Sequence, residues 1–367
     1  MKTEVIIAAR GELEVNLKRT VEAIGDKADV CIVFDGMEHG NVLPGSLTFM
    51  VRSLELIGGP QGCGWARHRG IMTSDADLII LMDGHMGGDI GKAIQVIQDH
   101  HRRRQNHLTC CRMQSLDQHG EPMEGAVQGG AFLALESKEV CSEYWALSAK
   151  WLKPPRKKGP IPAIMGACYA FKKSWYEKIG QPLRILRAWG GDEEILSLAT
   201  HLMGGKVELL PATVGHIYMA AHRNREQTAD EMALRWANRY AILEAIPMSE
   251  YQERDTMVAW LDQNRRCYND IPKITDAALD LREVLCNGKV TWEQLKADKI
   301  VRPLTAKEQA ACLGKIALRQ GDAKRGIPPA PVGDKSQIVT RHVEVCKLCG
   351  AGNSFRQICG TRATNSF

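Results

Sequence analysis

Five apolar residues run without interruption into a carboxylate and then an imidazole in Leu78-Ile79-Ile80-Leu81-Met82-Asp83-Gly84-His85. So short a run with no polar alternation predicts a strand buried on both faces, central in a parallel sheet. In open α/β sheets ligands sit beyond the carboxyl ends of the strands, so Asp83 and His85 stand where chemistry is expected. Residues two apart in extended chain share a face, and a carboxylate with an imidazole there can hold a divalent metal. The plainer alternative is a strand that ends in a polar turn with a solvated histidine.

The flanking sequence alternates strand-like and helix-like segments. Val5-Ile6-Ile7-Ala8-Ala9 reads as a first strand, and residues 13–24 carry Leu13, Leu17, Val21 and Ile24 at helical spacing. Asp29-Val30-Cys31-Ile32-Val33-Phe34-Asp35-Gly36 is a second strand with an acidic end, and residues 47–56 a less regular third. A Gly-rich turn over residues 58–64 leads into a helix through Trp65, Ala66 and Ile71. Strand, helix, strand, helix, strand implies right-handed crossovers and a parallel sheet. The glycines spell neither the dinucleotide fingerprint nor a phosphate-binding P-loop, which argues against a nicotinamide dehydrogenase or a P-loop enzyme.

Further on, Ala163-Ile164-Met165-Gly166-Ala167-Cys168-Tyr169-Ala170-Phe171 is a small-residue strand, with a helix-like segment over residues 173–179. Its small side chains suit either close ligand approach or tight core packing. Trp189-Gly190-Gly191-Asp192-Glu193-Glu194 then opens an amphipathic helix. Acidic residues in a first turn also complement the helix dipole, which accounts well for Glu194 and less well for the Trp-Gly-Gly before it. Residues 206–211 form a short strand, and Val214-Gly215-His216-Ile217-Tyr218 closes this half. His216 could supply the third ligand that Asp83 and His85 lack.

Taken in order, Val5-Ile6-Ile7, the strand ending at Asp35, Arg67-His68-Arg69-Gly70, Asp83-Gly84-His85, Trp189 to Glu193 and Val214 to Tyr218 resemble the catalytic domain of polypeptide N-acetylgalactosaminyltransferases. These are retaining glycosyltransferases of the GT-A fold, and related motifs occur in family-2 glycosyltransferases. The similarity covers roughly residues 3–222. Aspartate-x-histidine in place of the commoner aspartate-x-aspartate, with Val-Gly-His-x-aromatic, narrows the match to the first family.

The resemblance implies that Asp83, His85 and His216 ligate Mn2+, or Mg2+, which would neutralise the diphosphate of a UDP-sugar. It implies that Asp35 recognises the uridine and that Arg67 lies in the element contacting the diphosphate. Ala8, Arg10 and Gly166 are further expected to line the donor site, while Asp192, Glu193 and Trp189 face the sugar and the acceptor. Front-face attack with retention, the leaving phosphate taking the acceptor proton, would need no dedicated general base. The turn Gly36-Met37-Glu38-His39 departs from the family pattern, and residues 116–162 match little of it, so donor chemistry transfers better than acceptor identity.

The chain has 367 residues, of which 44% are hydrophobic and 25% charged, as in ordinary globular proteins. No segment approaches the roughly 18 apolar residues of a membrane span, and the N-terminus reads as a strand instead of a signal peptide. A cytoplasmic protein with no membrane partner is therefore expected. The predicted organisation is a GT-A catalytic domain over 1–224, a helical extension over 225–325, a Pro/Gly linker over 326–340 and a Cys-rich module over 341–367. In that last module His342, Cys346, Cys349 and Cys359 are expected to hold structural Zn2+, Cys346-Lys347-Leu348-Cys349-Gly350 being a knuckle. A floppy tail of reduced cysteines is the alternative, although so short a segment holds no core unaided.

Twelve cysteines occur in all, and those before residue 320 are expected to be reduced core residues. Net charge is only +5, but residues 100–104 and 153–158 are local basic clusters, solvated or phosphate-binding. Two acceptors compete: a hydroxymethylated base in DNA, the leading reading on the strength of these clusters and the Cys-rich tail, and a Ser/Thr polypeptide or glycan, the alternative favoured by the resemblance. A catalytically inactive GT-A scaffold binding nucleic acid through zinc is the non-enzymatic alternative. A nucleotidyltransferase would need a basic, Gly-rich triphosphate loop that the sequence lacks.

Overall fold

The computed structural model describes residues 1–10, 12, 14–36, 51–56, 61–125, 127–135, 147–187, 189–217, 229–248 and 271–310, of which 53–56, 229–236 and 271–275 as backbone alone. Four parallel strands form one half of the main sheet: β1 (Thr3–Ala9), β2 (Asp29–Asp35), β3 (Val51–Leu56) and β4 (Leu78–Met82). The register pairs Ile6 with Cys31 and with Leu81. Strand side chains alternate faces, and here both faces are covered. Ile6, Cys31, Val33, Ile79 and Leu81 enter one core; Val5, Ile7, Ile32, Ile80 and Met82 enter the other. All five residues of β4 are buried, as an unalternating apolar run requires.

The second core lies under α1 (Glu14–Ile24), through Leu17, Val21 and Ile24, and α3 (Ile90–Arg102), through Ile90, Ala93, Ile94 and Ile97. The first lies under α2 (Cys63–Thr73), α4 (Lys173–Lys178) and α5 (Asp192–Leu202). Helices α6 (Ala229–Ala245), α7 (Ile271–Cys286) and α8 (Trp292–Ala297) belong to that same core through Tyr240, Leu281 and Trp292. The stretch 225–325 is not wholly helical, because β12 (Val301–Pro303) pairs with β7 (Ala131–Leu135) and so enters a small sheet with β8 (Leu147–Trp151).

The other half of the main sheet corrects the expectation of a purely parallel one. Strand order is β3-β2-β1-β4-β10-β6-β11-β5, with β10 (Cys168–Lys172), β6 (His107–Leu116), β11 (Lys206–Ile217) and β5 (Met86–Gly87), and the two-residue β9 (Gly159–Pro160) pairs with β11 off this path. β10 runs antiparallel to both β4 and β6, so β4, β6 and β11 point the same way across it. The ends of β4 and β11 therefore meet at one edge. The sequence segments 206–211 and 214–217 fall in one strand, with an irregular register between Leu209 and Thr213. Pro211, which has no N–H to give the ladder, falls inside that irregularity.

Among the described residues Cys31, Cys110, Cys111 and Cys168 are buried free thiols, as expected of reduced core cysteines, whereas Cys63 is half-buried and Cys286 exposed, so these two are free but not core residues. No helix among them is long and apolar enough to cross a membrane. His342, Cys346, Cys349 and Cys359, the linker and the Cys-rich module lie outside the described residues.

Candidate metal and sugar-nucleotide site

Asp83 leaves β4 at the carboxyl end of the buried run, its amide donating to the Ala167 carbonyl at 3.1 Å. The turn that follows is fixed from two directions. Thr20 of α1 donates its hydroxyl to the Gly84 carbonyl at 3.0 Å and accepts the Met86 amide at 2.9 Å. On the other side the Ile217 amide donates to the His85 carbonyl at 3.2 Å, and His216 pairs in register with Met86. A helix and a strand far apart in sequence thus set where His85 points. His216 Nε2 lies 3.2 Å from Asp83 Oδ2, and His85 Nε2 lies 4.0 Å from the same oxygen. The imidazole centroids are 4.6 Å apart.

Asp83, His85 and His216 each offer one ligand atom, all within 4.8 Å of one another, so the structure brings together the three residues read as ligands. One carboxylate and two imidazoles form a mixed O/N donor set, which suits Mn2+ better than the oxygen-seeking Mg2+. Glu12 adds a feature no sequence motif signalled. Its Oε2 lies 3.1 Å from His85 Nδ1, so that with Nδ1 donating, Nε2 keeps its lone pair toward Asp83. A carboxylate behind a ligating histidine is how metal sites fix tautomer and orientation. The residues present fit a divalent cation. Burial opposes the charged form of His85, but the Glu12 hydrogen bond and the Asp83 charge outweigh it and raise its pKa. A proton therefore competes with a cation at this ring.

Arg67 ties this cluster to the acidic helix start. Its guanidinium, 5% exposed, donates from Nη2 to Asp83 Oδ1 at 2.6 Å and from Nη1 to Asp192 Oδ2 at 2.7 Å. Nη1 also reaches the Tyr169 hydroxyl. Burial alone would raise the Asp83 carboxyl; the His216 hydrogen bond, then the Arg67 charge and the two imidazoles, hold it far below the usual carboxylate range. Asp83 is thus ionised, as a ligand must be. In this structure Arg67 spends its fork on the two carboxylates of the site.

Asp35 is 2% exposed, and both its oxygens accept backbone amides: Gln61 N at 2.6 Å and Gly62 N at 2.8 Å. It pins the turn that opens α2, the helix carrying Arg67. A carboxylate has lone pairs left for a further donor, so this role is compatible with recognition of a base. Ala8 is partly buried near the end of β1 and Arg10 partly exposed just beyond it. Gly166 has φ +109°, and a Cβ there would stand 2.6 Å from Met113 Cγ, so backbone geometry and packing both demand glycine.

Trp189 is 64% exposed, and Gly190 and Gly191 after it have φ of 93° and 102°, which bend the chain sharply into α5. Asn238 of α6 holds this loop, donating to the Gly190 carbonyl at 2.8 Å and accepting the Arg187 amide. Neither Asn238 nor Tyr169 stood out in the sequence. Glu194 faces away, into an ion pair with Arg239 at 2.9 Å and a hydrogen bond from the Ala149 amide, so its role is structural. Tyr218 lies outside the described residues.

Burial foremost, then the charges of Glu194 and Asp192, push the Glu193 carboxyl up to about 8. The folded chain then keeps a proton that the unfolded chain has released above its usual 4.5. Glu193 therefore costs the metal-free protein nothing below that value and lowers its stability progressively as pH rises toward about 8. Glu193→Gln cannot ionise and should flatten this slope. Calorimetry on chelated protein should give the variant a melting temperature a few degrees above wild type at pH 8, with the gain gone at pH 4. Parallel pH profiles would show that Glu193 ionises normally.

No family model matches the chain. It is 23% identical over 245 residues to polypeptide N-acetylgalactosaminyltransferase 4 of Mus musculus, covering 59% of this chain and 39% of the relative. It is 26% identical over 163 residues to polypeptide N-acetylgalactosaminyltransferase 3 of Taeniopygia guttata, covering 40% and 25%. The chain thus spans well under half the length of these relatives. Among solved structures, that of GalNAc-T7 with UDP, GalNAc and Mn2+ superposes with a TM-score of 0.61 at 18% identity, over 81% of this chain and 57% of that one. At that identity the likeness establishes the fold. In sequence and in fold alike, the chain resembles the catalytic domain of polypeptide N-acetylgalactosaminyltransferases, on a GT-A-type α/β scaffold.

Proposed function

We propose that the chain is a metal-dependent glycosyltransferase that moves a sugar from a UDP-sugar to a hydroxyl acceptor. The observation that carries this is the meeting of Asp83, His85 and His216 at one edge of a GT-A-type sheet. Those three side chains would hold Mn2+, which when bound neutralises charge building on the departing diphosphate. Glu12 orients His85, and Arg67 holds Asp83 and Asp192 in fixed relation. Asp35 orders the turn into α2 and keeps lone pairs for the uracil edge. Arg10, Ala8 and Gly166 complete the donor side in this reading.

Asp192, Glu193 and Trp189 face the sugar and acceptor. With its carboxyl pushed up to about 8 in the metal-free chain, Glu193 is mostly protonated at neutral pH and would donate a hydrogen bond to a sugar hydroxyl. That accords with retention by front-face attack, the acceptor proton leaving with the donor phosphate.

For the acceptor, a Ser/Thr polypeptide or a glycan is favoured over a hydroxymethylated DNA base. The curated relatives that match are named as polypeptide transferases. The basic run 100–104 follows β4 through α3 to the opposite end of the sheet from Asp83, and His101 in it is fully buried. A basic patch there cannot guide DNA into the site.

The test is a screen of UDP-GalNAc, UDP-GlcNAc, UDP-glucose and UDP-galactose against the full chain, read as UDP release. Arms with Mn2+ or chelator are combined with Ser/Thr peptides, glycans or hydroxymethylated duplex DNA. Mn2+-dependent release from one donor, stimulated by peptide or glycan, is the expected result. Stimulation by DNA alone would reverse the acceptor assignment. UDP binding without turnover would mark an inactive scaffold.

A further inference from the structure

A second group of ligand-type side chains lies at the opposite end of the sheet. His100 is in the last turn of α3, His107 begins β6 and Glu208 sits in β11. Their donor atoms converge: His100 Nε2 is 3.4 Å from His107 Nδ1 and 3.1 Å from Glu208 Oε2, and His107 Nδ1 is 2.9 Å from that same oxygen. Zinc–ligand bonds of ~2.0–2.1 Å in a tetrahedron put neighbouring ligand atoms roughly 3.3 Å apart. The observed triangle has nearly those edges, so one cation on its open side would reach all three atoms. All three side chains are largely buried, 13% to 19% exposed.

We propose that His100, His107 and Glu208 form a second, structural metal site that takes a divalent transition-metal cation, Zn2+ foremost, with water in the fourth position. Two imidazoles and a carboxylate suit zinc: three such protein ligands with water in the fourth position is the His2Glu set of zinc enzymes, here with no substrate cleft assigned to it. Burial, reinforced by the Arg104 guanidinium, pushes His100 down to about 4, and burial likewise lowers His107. The cation would also face the carbonyl end of α3, where positive charge is favourable. Arg104 and Lys206 are the nearby cations that oppose it. The ion would staple the end of α3 to the starts of β6 and β11, fixing the sheet from the side away from the donor site. The competing account is a carboxylate oxygen hydrogen-bonded by two neutral rings.

Zinc content after gel filtration tests this in the full chain, in an Asp83→Ala background that silences the donor site. Adding Glu208→Gln should remove one bound equivalent and abolish the Zn2+-induced rise in melting temperature; His100→Gln should do the same. Unchanged stoichiometry in both would leave only the hydrogen-bonded cluster and overturn the proposal. Should either variant fail to fold, zinc-edge anomalous scattering from crystals of the unsubstituted chain decides. A peak between the three side chains supports the site, and none there refutes it.

Discussion

Asp83→Ala is expected to lower Mn2+-dependent turnover of the UDP-sugar by ~10³-fold or more while the chain stays folded. A metal on a departing diphosphate contributes several kcal/mol of transition-state stabilisation, and each 1.36 kcal/mol is tenfold in rate. Asp83 is the one anionic donor of the triad and the point on which both imidazoles converge. Folding survives because Arg67 keeps Asp192 and the Tyr169 hydroxyl as partners. Asp83→Asn preserves the volume and part of the hydrogen bonding and should lose a similar factor, separating loss of a ligand from loss of shape. UDP release under saturating donor, alongside a melting curve, reads both effects. Turnover within tenfold of wild type in both variants would remove Asp83 from the metal site.

Arg67→Leu should be the most destabilising of the site substitutions, by about 3–5 kcal/mol, because it strands carboxylates that the guanidinium now neutralises. Asp192 is 3% exposed and has Arg67 2.7 Å away. Removing that cation leaves Asp192 and Asp83 facing a shared apolar side chain. Arg67→Lys keeps the charge but not the fork that spans both acids, and should cost less. The loss should shrink as pH falls and the stranded acids take up protons. Urea midpoints at pH 7 and pH 4 check this. Equal losses at the two pH values would mean that packing, not charge, is what Arg67 supplies.

The first half of the fold was legible because three of its four parallel strands are short apolar runs with no helical repeat, β3 being the exception. Val5 to Ala9, Val30 to Phe34 and Leu78 to Met82 are strands at those positions. Direction was legible only where a helix intervened between neighbours. β10 slots antiparallel between β4 and β6, and its run of small residues carries no mark of orientation or neighbour. The three residues read as ligands were legible because they stand at or just beyond strand ends, and the structure brings them together from positions 83, 85 and 216. Their supports were not. Glu12 is an isolated acid in a loop, Thr20 and Asn238 sit in helices that read as packing faces, and Tyr169 hid among small residues. A residue whose task is to orient another has no local pattern, only a distance that folding creates. Arg67 and Asp35 stood out as donor-site residues, yet the structure gives each a second task, in joining carboxylates and in pinning the turn into α2.

Calorimetric titration of UDP into the full chain, with Mn2+ and with chelator, tests the central claim most directly. The expected result is binding that weakens at least tenfold without Mn2+ and that in His216→Ala no longer responds to the metal. Equal UDP affinity with and without Mn2+, or an undiminished metal response in His216→Ala, would contradict a sugar-nucleotide site built on Asp83, His85 and His216.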